Sequence, residues 1–317
     1  MIGSYLIDVL IAASRKNSLN IKICAMGRSW EKAYARFSPY WDSPDFSFVC
    51  GDVNQGVPAG VPNADYVVHA ASNTHPVAYS KYPIDTILTN IVGTHNLLQY
   101  AVASKCKRFI FTSSVEVYGE NKGDYEKFVE SDSGYIDCNT LRAGYPESKR
   151  TGEALCQAYI KQFGVDIVIS RLPRVYGPTM LPSDTKAISQ FLKKAVNGED
   201  IVLKSEGNQY FSYIHVADAV TGLLYCLING KSGEAYNIAD EKSDITLKSL
   251  AKKIAAIAGK KVVFDLPDQV ESEGYSKATK ALMDSSKIRK IGWRSAIDID
   301  RGLSSCFQIM TRGIEQG

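Results

Sequence analysis

The sequence predicts an α/β fold of the Rossmann type, a doubly wound parallel sheet with a smaller carboxyl-terminal lobe. Short apolar runs at 109–111 and 165–172 have the length and composition of strands buried on both faces of a sheet. Longer segments with apolar residues at helical spacing, such as 85–103, lie between runs of this kind. Helices between strands indicate parallel pairing, because parallel strands need a crossover connection.

Length, composition and charge exclude several classes of protein. The chain has 317 residues, of which 45% are hydrophobic, and a formal net charge of +3. This length suits one large domain or two closely joined lobes. The nearly balanced charge gives no indication of a nucleic-acid partner. The apolar stretch 7–13 is too short to span a membrane and lacks the flanks of a signal peptide, so we expect no membrane partner.

The cysteines and histidines indicate neither a metal site nor a disulfide framework. The seven cysteines form no Cys-x-x-Cys pair and no ligand cluster with the four histidines. We interpret the cysteines as packing residues in a reducing, cytoplasmic compartment. His69 lies in a predicted strand and is interpreted as a core histidine.

Three polar side chains are predicted to meet at one edge of the sheet. Ser114 follows the strand 109–111, and the carboxyl edge of a parallel sheet is where open α/β folds keep their sites. Tyr145 and Lys149 are four residues apart at the start of a helical pattern, so they share a helix face. A nearby ammonium lowers the pKa of a phenol, ordinarily about 10, and makes it a better base. The phenolate would remove a proton from a substrate hydroxyl, and Ser114 would hydrogen-bond that hydroxyl.

Several ordered motifs resemble one family. They are Ser-x-x-x-Tyr-Gly at 114–119, Tyr-x-x-x-Lys at 145–149 and Arg-Leu-Pro-Arg-Val-Tyr-Gly-Pro at 171–178. A Tyr-x-x-x-Lys pair alone also fits a solvated helix face, but the ordered set is similar to the extended short-chain dehydrogenase/reductases. This family includes sugar-nucleotide epimerases, dehydratases and decarboxylases. The resemblance spans nearly the whole chain and implies NAD or NADP as cofactor, a nucleotide-sugar substrate and a homodimer.

The resemblance also implies a division of the chain. Residues 1–178, with 212–240 returning to them, would form the dinucleotide-binding domain. Residues 179–211 and 241–317 would form the substrate-binding lobe. Within that lobe Thr246 is predicted to cap a helix that Gly259 closes.

The first residues match only the end of the family's opening motif. Gly3 resembles the last glycine of Gly-x-x-Gly-x-x-Gly, and the preceding strand and first two glycines are missing. We expect a start assigned too late rather than a true deletion. Without that strand, its two neighbours would either close up or take a segment from elsewhere, because unpaired strand edges are unfavourable.

The resemblance places the cofactor contacts at the ends of the predicted strands. Arg28 suits a 2′-phosphate and so favours NADP, although a solvated arginine is equally expected at this point. Asp52 and Val53 resemble an adenine-contacting turn, and Asp52 is also a common turn residue. The full set of implied cofactor-binding residues is Gly3, Arg28, Asp52, Val53, Ala70, Ala71, Ser72, Tyr145, Lys149 and Pro173.

The residues after Ser114 bear on the type of reaction. Dehydratases of the family eliminate water with an adjacent Asp-Glu pair, whereas this chain has Val115 at the position of the acid and keeps Glu116. We therefore expect epimerisation or decarboxylation through a transient keto-sugar rather than 4,6-dehydration. The implied catalytic residues are Ser114, Glu116, Tyr145 and Lys149. The implied substrate contacts are Ser114, Glu116, Arg174 and Tyr176.

Two departures from the family lie on the substrate side. Arg174 stands where relatives usually have Asn, and Phe211 where they commonly have an Arg that grips the nucleotide diphosphate. Arg174 or Lys280 could take over that role, or Arg174 could hold a uronate carboxylate. Two alternatives stay open: an NADP-dependent carbonyl reductase, favoured by Arg28, and a catalytically silent binding protein, favoured by the absent phosphate loop.

Overall fold

The computed structural model describes residues 1–74, 81–265 and 279–315. The strands are β1 (Ile23–Gly27), β2 (Phe46–Cys50), β3 (Tyr66–His69), β4 (Arg108–Ser114), β5 (Ile167–Leu172), β6 (Arg174–Tyr176), β7 (Ile201–Leu203), β8 (Tyr210–His215), β9 (Ala235–Asn237), β10 (Asp244–Thr246), β11 (Val262–Phe264) and β12 (Lys280–Ala281). The α-helices are α1 (Ile2–Asn17), α2 (Trp30–Phe37), α3 (Pro83–Ala103), α4 (Gly144–Phe163), α5 (Ala187–Val196), α6 (Val216–Asn229), α7 (Leu247–Ile257), α8 (Ser286–Lys290) and α9 (Ile299–Glu315). Among these helices, none combines the length and apolarity needed to cross a membrane.

A parallel sheet with helices on both faces forms the centre of the fold. Its strands run in the order β3-β4-β5-β9. On one face Ile110 packs with residues of α1 and α6. On the other, Phe109 and Phe111 pack with residues of α3 and α4. Burial on both faces explains the continuous apolar runs in the sequence, and the predicted doubly wound α/β fold is confirmed.

Two helix ends follow the signals in the sequence. The Thr246 side chain accepts a hydrogen bond from the backbone N–H of Ser249 at 3.2 Å, and so caps α7 as predicted. Gly164 ends α4 in the left-handed conformation, with φ of 67°, which glycine adopts without steric cost. The second of these ends fixes where the chain leaves the helix that carries Tyr145 and Lys149.

A second sheet forms around β8, which pairs with β6, β10 and β12. The chain leaves the central sheet at Pro173, since proline has no N–H to donate to a ladder. It then enters the second sheet as β6, where Arg174 lies opposite Tyr213. Strand β7 pairs with β11 in parallel. The proposed division into two domains stays a prediction. The strand pairing shows that β6 and β8 belong to one sheet.

The two amino-terminal strands form a sheet of their own. Strand β1 pairs with β2 in parallel, and in the described part of the chain no ladder joins β1 to β3. Helix α1 lies over both sheets, because Leu6 packs in the cluster that contains Ile110 while Ile7 packs against Ile23. We expected the neighbours of a missing strand to close up or to take another segment. In the described residues no ladder joins β1 to β3, directly or through another segment, and α1 packs over both sheets.

The close approach of α4 to β4 depends on Gly152. A Cβ atom added there would lie 2.5 Å from Cζ of Phe111. Glycine is unfavourable in the middle of a helix by about 1 kcal/mol relative to alanine, so this position keeps glycine for packing and not for helix formation.

We predict that Gly152→Ala lowers the free energy of unfolding by about 1–2 kcal/mol, since the overpacking cost exceeds the gain in helix propensity. Gly313→Ala is the matched control, because Gly313 is also helical but has no atom within 4 Å of an added Cβ. That variant should be slightly more stable than the unmodified chain. Urea unfolding measures both, and an equal gain in the two variants would contradict the proposed constraint.

Candidate active site

The Ser114, Tyr145 and Lys149 side chains belong to two elements that meet at the carboxyl edge of the central sheet. Ser114 is the last residue of β4, and its hydroxyl accepts a hydrogen bond from the Glu116 N–H at 3.3 Å. Lys149 Nζ donates to the carbonyl of Thr112 at 2.8 Å, two residues before Ser114. Tyr145 lies one helical turn from Lys149 and is buried. The structure thus brings the predicted catalytic set to one edge.

The first turns of α4 are fixed by a chain of side-chain hydrogen bonds. The Ser148 hydroxyl donates to the carbonyl of Tyr145 and accepts from Asn90 Nδ2, both at 2.9 Å. Asn90 Oδ1 in turn accepts from the Ser72 hydroxyl at 2.9 Å. We did not predict this network from the sequence, although Ser148 lies inside the Tyr-x-x-x-Lys motif. It links Ser72, implied as a cofactor contact, to the backbone of Tyr145.

Lys149 is a buried cation. Its side chain is 2% exposed, and its Nζ lies 4.9 Å from the centroid of the Phe111 ring. Burial lowers the pKa of Lys149 from 10.5 to about 8, while the charge of Glu153 acts in the opposite direction. At neutral pH the amine is therefore mostly protonated and carries a positive charge one helical turn from Tyr145.

His69 is a core residue, as interpreted from the sequence. It is buried, and its Nε2 lies 3.0 Å from Oγ1 of Thr94. Burial, and secondarily the charge of Lys149, lowers the pKa of His69 to about 3, so the ring is neutral at ordinary pH. In residues 1–74, 81–265 and 279–315 no group of three or more His, Cys, Asp or Glu side chains could hold a metal ion.

Glu116 forms an ion pair that was not predicted. Its Oε1 lies 2.7 Å from a guanidinium nitrogen of Arg142. Arg142 precedes Tyr145 by three residues. Its nearness to the Tyr-x-x-x-Lys motif was the one feature of the sequence that could have indicated a contact with a residue of the site. The pair holds the carboxylate of Glu116 close to Ser114, beside the predicted reaction centre.

The implied cofactor contacts are only partly brought together. Gly3, at the start of α1, lies against Ala70, with an added Cβ 3.5 Å from Cβ of Ala70. The unpaired first amides of α1, with small side chains beside them, fit a phosphate group of a dinucleotide at the amino-terminal end of the helix. The Asp52 carboxylate accepts from the N–H of Asn54 at 2.9 Å and so acts as a turn residue. Arg28 pairs with a carboxylate oxygen of Asp85 at 3.4 Å on the surface.

The remaining implied cofactor residues lie in three places. Val53 packs against α3, where a Cβ added at Gly93 would be 2.7 Å from Cγ2 of Val53. Ala71 directly follows Ala70, beyond the end of β3, and Pro173 is buried between β5 and β6. Ala71 therefore borders the same edge as Gly3, whereas Val53 supports the turn formed by Asp52.

On the substrate side, Arg174 and Phe211 are in direct contact. The guanidinium carbon of Arg174 lies 3.3 Å from the centroid of the Phe211 ring, a stacked cation–π geometry. The parallel pairing of β6 with β8 places Arg174 opposite Tyr213, so Phe211, two residues earlier on the same face of β8, is its diagonal neighbour. The two positions at which the chain departs from the family that it resembles are therefore in direct contact.

The structure does not support Tyr176 as a substrate contact. Its side chain is 0% exposed and packs edge to face on His215, at 5.5 Å between ring centroids. Burial also raises the pKa of its hydroxyl well above the ordinary value. Tyr176 is a core residue, because α9 covers it: the hydroxyl lies against Gly302.

A Rossmann-type sheet with a buried Tyr–Lys helix at its carboxyl edge defines a dinucleotide-dependent enzyme class. Residues 1–239 match the model of the NAD dependent epimerase/dehydratase family. The chain belongs to this family of enzymes.

Individual relatives agree with the family. UDP-glucuronic acid decarboxylase 4 of Arabidopsis thaliana is 28% identical over 95% of the chain, which spans 64% of that relative's length. The dTDP-glucose 4,6-dehydratase of Streptomyces venezuelae, solved with NAD, has a TM-score of 0.82 at 24% identity, covering 99% of this chain and 95% of that one. The UDP-glucuronic acid 4-epimerase of Bacillus cereus, solved with UDP-glucuronic acid and NAD, has a TM-score of 0.80 at 21% identity, covering 98% and 96%. The solved structures show that the fold is shared.

We predict that Lys149→Met stabilises the protein at pH 7 by up to about 3 kcal/mol, the equivalent of its pKa shift. The pKa of Lys149 is lower in the folded than in the unfolded state, so the unfolded chain binds more protons between pH 8 and 10.5. The unmodified chain therefore gains stability relative to Lys149→Met as pH rises through that window.

Urea unfolding at several pH values measures this difference. Lys161→Met, at an exposed position of the same helix, is the matched control. A Lys149→Met variant that is less stable than the unmodified chain at pH 7, or whose difference does not change with pH, would show that burial of the ammonium carries no cost.

Proposed function

We propose that this chain catalyses the NAD-dependent modification of a nucleotide sugar through a transient keto intermediate, and that the reaction is a decarboxylation or an epimerisation. The observation that carries the proposal is the buried Lys149 ammonium, which lies one helical turn from Tyr145. It donates a hydrogen bond to the carbonyl of Thr112, two residues before Ser114. This arrangement can remove a proton from a sugar hydroxyl at the sheet edge.

The residues divide the proton transfer between them. Ser114 holds the sugar hydroxyl by a hydrogen bond, and Tyr145 accepts the proton as a phenolate. The Lys149 charge favours that phenolate, because an opposite charge nearby stabilises the ionised form. Gly3, Ala70, Ala71 and Lys149 would hold the dinucleotide. When bound, NAD would accept a hydride from the same sugar carbon whose hydroxyl loses its proton.

The surroundings of Ser114 support decarboxylation or epimerisation over elimination of water. Val115 is buried and apolar, so it offers no proton to a leaving hydroxyl. Glu116 pairs with Arg142 and keeps a carboxylate near the site. A carboxylate attached to the carbon next to a keto group is labile, because the electron pair of the breaking bond passes to the carbonyl as an enolate when carbon dioxide leaves. A uronate therefore needs no acid at the position of Val115. The similarity to UDP-glucuronic acid decarboxylases supports a UDP-uronate as substrate.

The Arg174–Phe211 unit supplies the positive charge that an anionic substrate needs. Leu172 pairs in register with Ser114, and Arg174 lies two residues after Leu172. The Phe211 ring stacks on the guanidinium plane of Arg174, and a guanidinium is the side-chain group best suited to bidentate hydrogen bonds with a phosphate or carboxylate. Of the two roles considered for Arg174, we favour binding of the diphosphate, because it then replaces the arginine that relatives carry at the position of Phe211.

The pairing of Arg28 with Asp85 gives no separate support to the NADP-dependent reductase. The homodimer that the resemblance implies stays a prediction.

We predict that Tyr145→Phe abolishes turnover of UDP-glucuronic acid while the fold is kept, since only the ionisable hydroxyl is lost. Ser114→Ala should reduce turnover by roughly 10- to 1,000-fold, as expected for one positioned polar group. Mass spectrometry of the nucleotide products measures both and shows whether carbon dioxide is lost. Thermal unfolding by circular dichroism is the control for folding, and full activity of Tyr145→Phe would contradict the mechanism.

We predict that Arg174→Asn weakens binding of UDP by roughly 10- to 100-fold, the equivalent of a charge-assisted hydrogen bond of about 1.5–3 kcal/mol. The double variant Arg174→Asn/Phe211→Arg should recover most of the affinity, because the new guanidinium starts from the neighbouring strand. Phe211→Leu, which keeps the charge and removes the stacking, should lose less. Calorimetric titration with UDP measures all three, and unchanged affinity in Arg174→Asn would contradict this role.

A further inference from the structure

We propose that Glu153 is a positioning residue of the candidate active site, a carboxylate that Arg171 and Ser113 hold in place as a fixed negative charge beside the Lys149 ammonium. The proposal stands on the contacts that fix this carboxylate, on its spacing from Lys149 and on the charge state of the groups around the ammonium. It deepens the proposed function, on which its consequence for turnover rests.

The Glu153 carboxylate joins α4 to two strands of the central sheet. Its Oε1 accepts hydrogen bonds from the Ser113 hydroxyl at 2.5 Å and from Nε of Arg171 at 3.0 Å, and its Oε2 accepts from Nη2 of Arg171 at 2.7 Å. Ser113 lies on β4 and pairs in register with Arg171 on β5. Because Ser113 directly precedes Ser114, the carboxylate is fixed to the strand end that carries the predicted substrate contact.

The ion pair of Glu153 with Arg171 is buried and is held from a second side. The side chains of Arg171 and Glu153 are 12% and 13% exposed. Nη1 of Arg171 donates to the Tyr118 hydroxyl at 3.1 Å and to the carbonyl of Glu130 at 2.8 Å. All three guanidinium nitrogens thus have partners, which gives the bidentate pair one orientation. The carboxylate cannot turn away without leaving a buried cation unpaired.

Glu153 and Lys149 share a face of α4, and each bonds different partners. They are four residues apart, which is one helical turn, so their side chains are neighbours. Both oxygens of Glu153 bond Arg171, and one also bonds Ser113. Nζ of Lys149 donates to the carbonyl of Thr112 at 2.8 Å. Burial lowers the pKa of Lys149, and the negative charge of Glu153 opposes that effect in an interior where water screens charges weakly.

Two other titratable side chains near Lys149 are uncharged at ordinary pH. His69, on β3, is neutral because burial lowers its pKa to about 3. Burial raises the pKa of the Cys156 thiol on α4, so the thiol keeps its proton. Within the part of the chain that the structure describes, Glu153 is therefore the carboxylate that acts on Lys149. Arg171 on β5 is the cation that balances its charge.

The negative charge matters because Lys149 is close to losing its proton at neutral pH. The pKa of Lys149 is about 8 with the Glu153 carboxylate one turn away, and removal of that charge lowers the pKa further. A larger share of the amines would then be uncharged and would no longer favour the phenolate of Tyr145. Tyr145 lies two helical turns from Glu153, so the change acts mainly on Lys149.

Titration of Lys149 in the Glu153→Gln variant tests this role. Glutamine keeps the size of the side chain and an oxygen that can accept from Ser113, and it removes the charge. We expect the pKa of Lys149 to fall by about one pH unit or more, the usual effect of losing a nearby opposite charge. Carbon-13 nuclear magnetic resonance of protein labelled at the lysine Cε measures this pKa, and the signal that is lost in Lys149→Met assigns it.

Glu147→Gln is the matched control, because it removes the same charge from the same helix. Oε1 of Glu147 lies 3.1 Å from Nη1 of Arg150, and both side chains are partly exposed. This variant should leave the pKa of Lys149 unchanged. An equal fall in Glu147→Gln and Glu153→Gln would show a general effect of net charge and overturn the specific role of Glu153.

A second variant keeps the test decisive if Glu153→Gln does not fold, which circular dichroism shows. Glu153→Met/Arg171→Met removes both charges of the buried pair and leaves neither of them unpaired. The pKa of Lys149 should fall in this variant too, because the charge that raises it is that of Glu153 and not that of Arg171. An unchanged pKa of Lys149 in the folded variant would overturn the inference.

The pH dependence of turnover tests the consequence for the proposed reaction. With UDP-glucuronic acid as substrate, the fall of kcat at alkaline pH should move to lower pH in Glu153→Gln by as much as the pKa of Lys149 does. A lowered pKa without this movement would overturn the positioning role in the reaction. If the unmodified chain turns over no nucleotide sugar, the proposed function fails, while the titration still decides whether Glu153 supplies the charge beside Lys149.

Discussion

The burial of the Lys149 ammonium between α4 and β4 is the interaction on which the site depends. A long cationic side chain is costly to bury, and it is tolerated here because Thr112 accepts its hydrogen bond and Phe111 lies beneath it. Gly152 allows the helix to come close enough for this contact. The same approach brings Tyr145 to the edge where β4 ends at Ser114, so the packing of one helix places the whole set.

The two sides of the site are held in different ways. The catalytic side is fixed by buried hydrogen bonds that run from Ser72 through Asn90 and Ser148 to the backbone of Tyr145. In the described residues β1 and β2 are joined to the rest of the fold by the apolar cover of α1 and by side-chain hydrogen bonds to α3, such as Asn96 to the carbonyl of Val53 at 2.7 Å, and not by a ladder to the central sheet.

Much of the fold follows from local chemistry that sequence reveals. Strand β4 is a continuous apolar run because both of its faces are covered, and Thr246 and Gly164 mark helix ends through their own preferences. The ion pair of Glu116 with Arg142 and the stacking of Arg174 on Phe211 were not predicted. These contacts join residues distant in the chain, and no local preference encodes which side chains meet across two elements. The substrate role of Tyr176 was assigned from a motif, but the covering helix α9 excludes it from the surface.

The sequence by itself determined the α/β class, the family and the identity of the Ser114, Tyr145 and Lys149 set, because periodicity and motif spacing are properties of short segments. Only the tertiary structure decided the state of these groups. The lowered pKa of Lys149 arises from burial against β4, and the contact of Arg174 with Phe211 arises from the pairing of β6 with β8. The separation of β1 and β2 from the central sheet in the described residues is likewise a tertiary property, since the edges of a sheet are defined by which strands pair and not by the residues of any one strand.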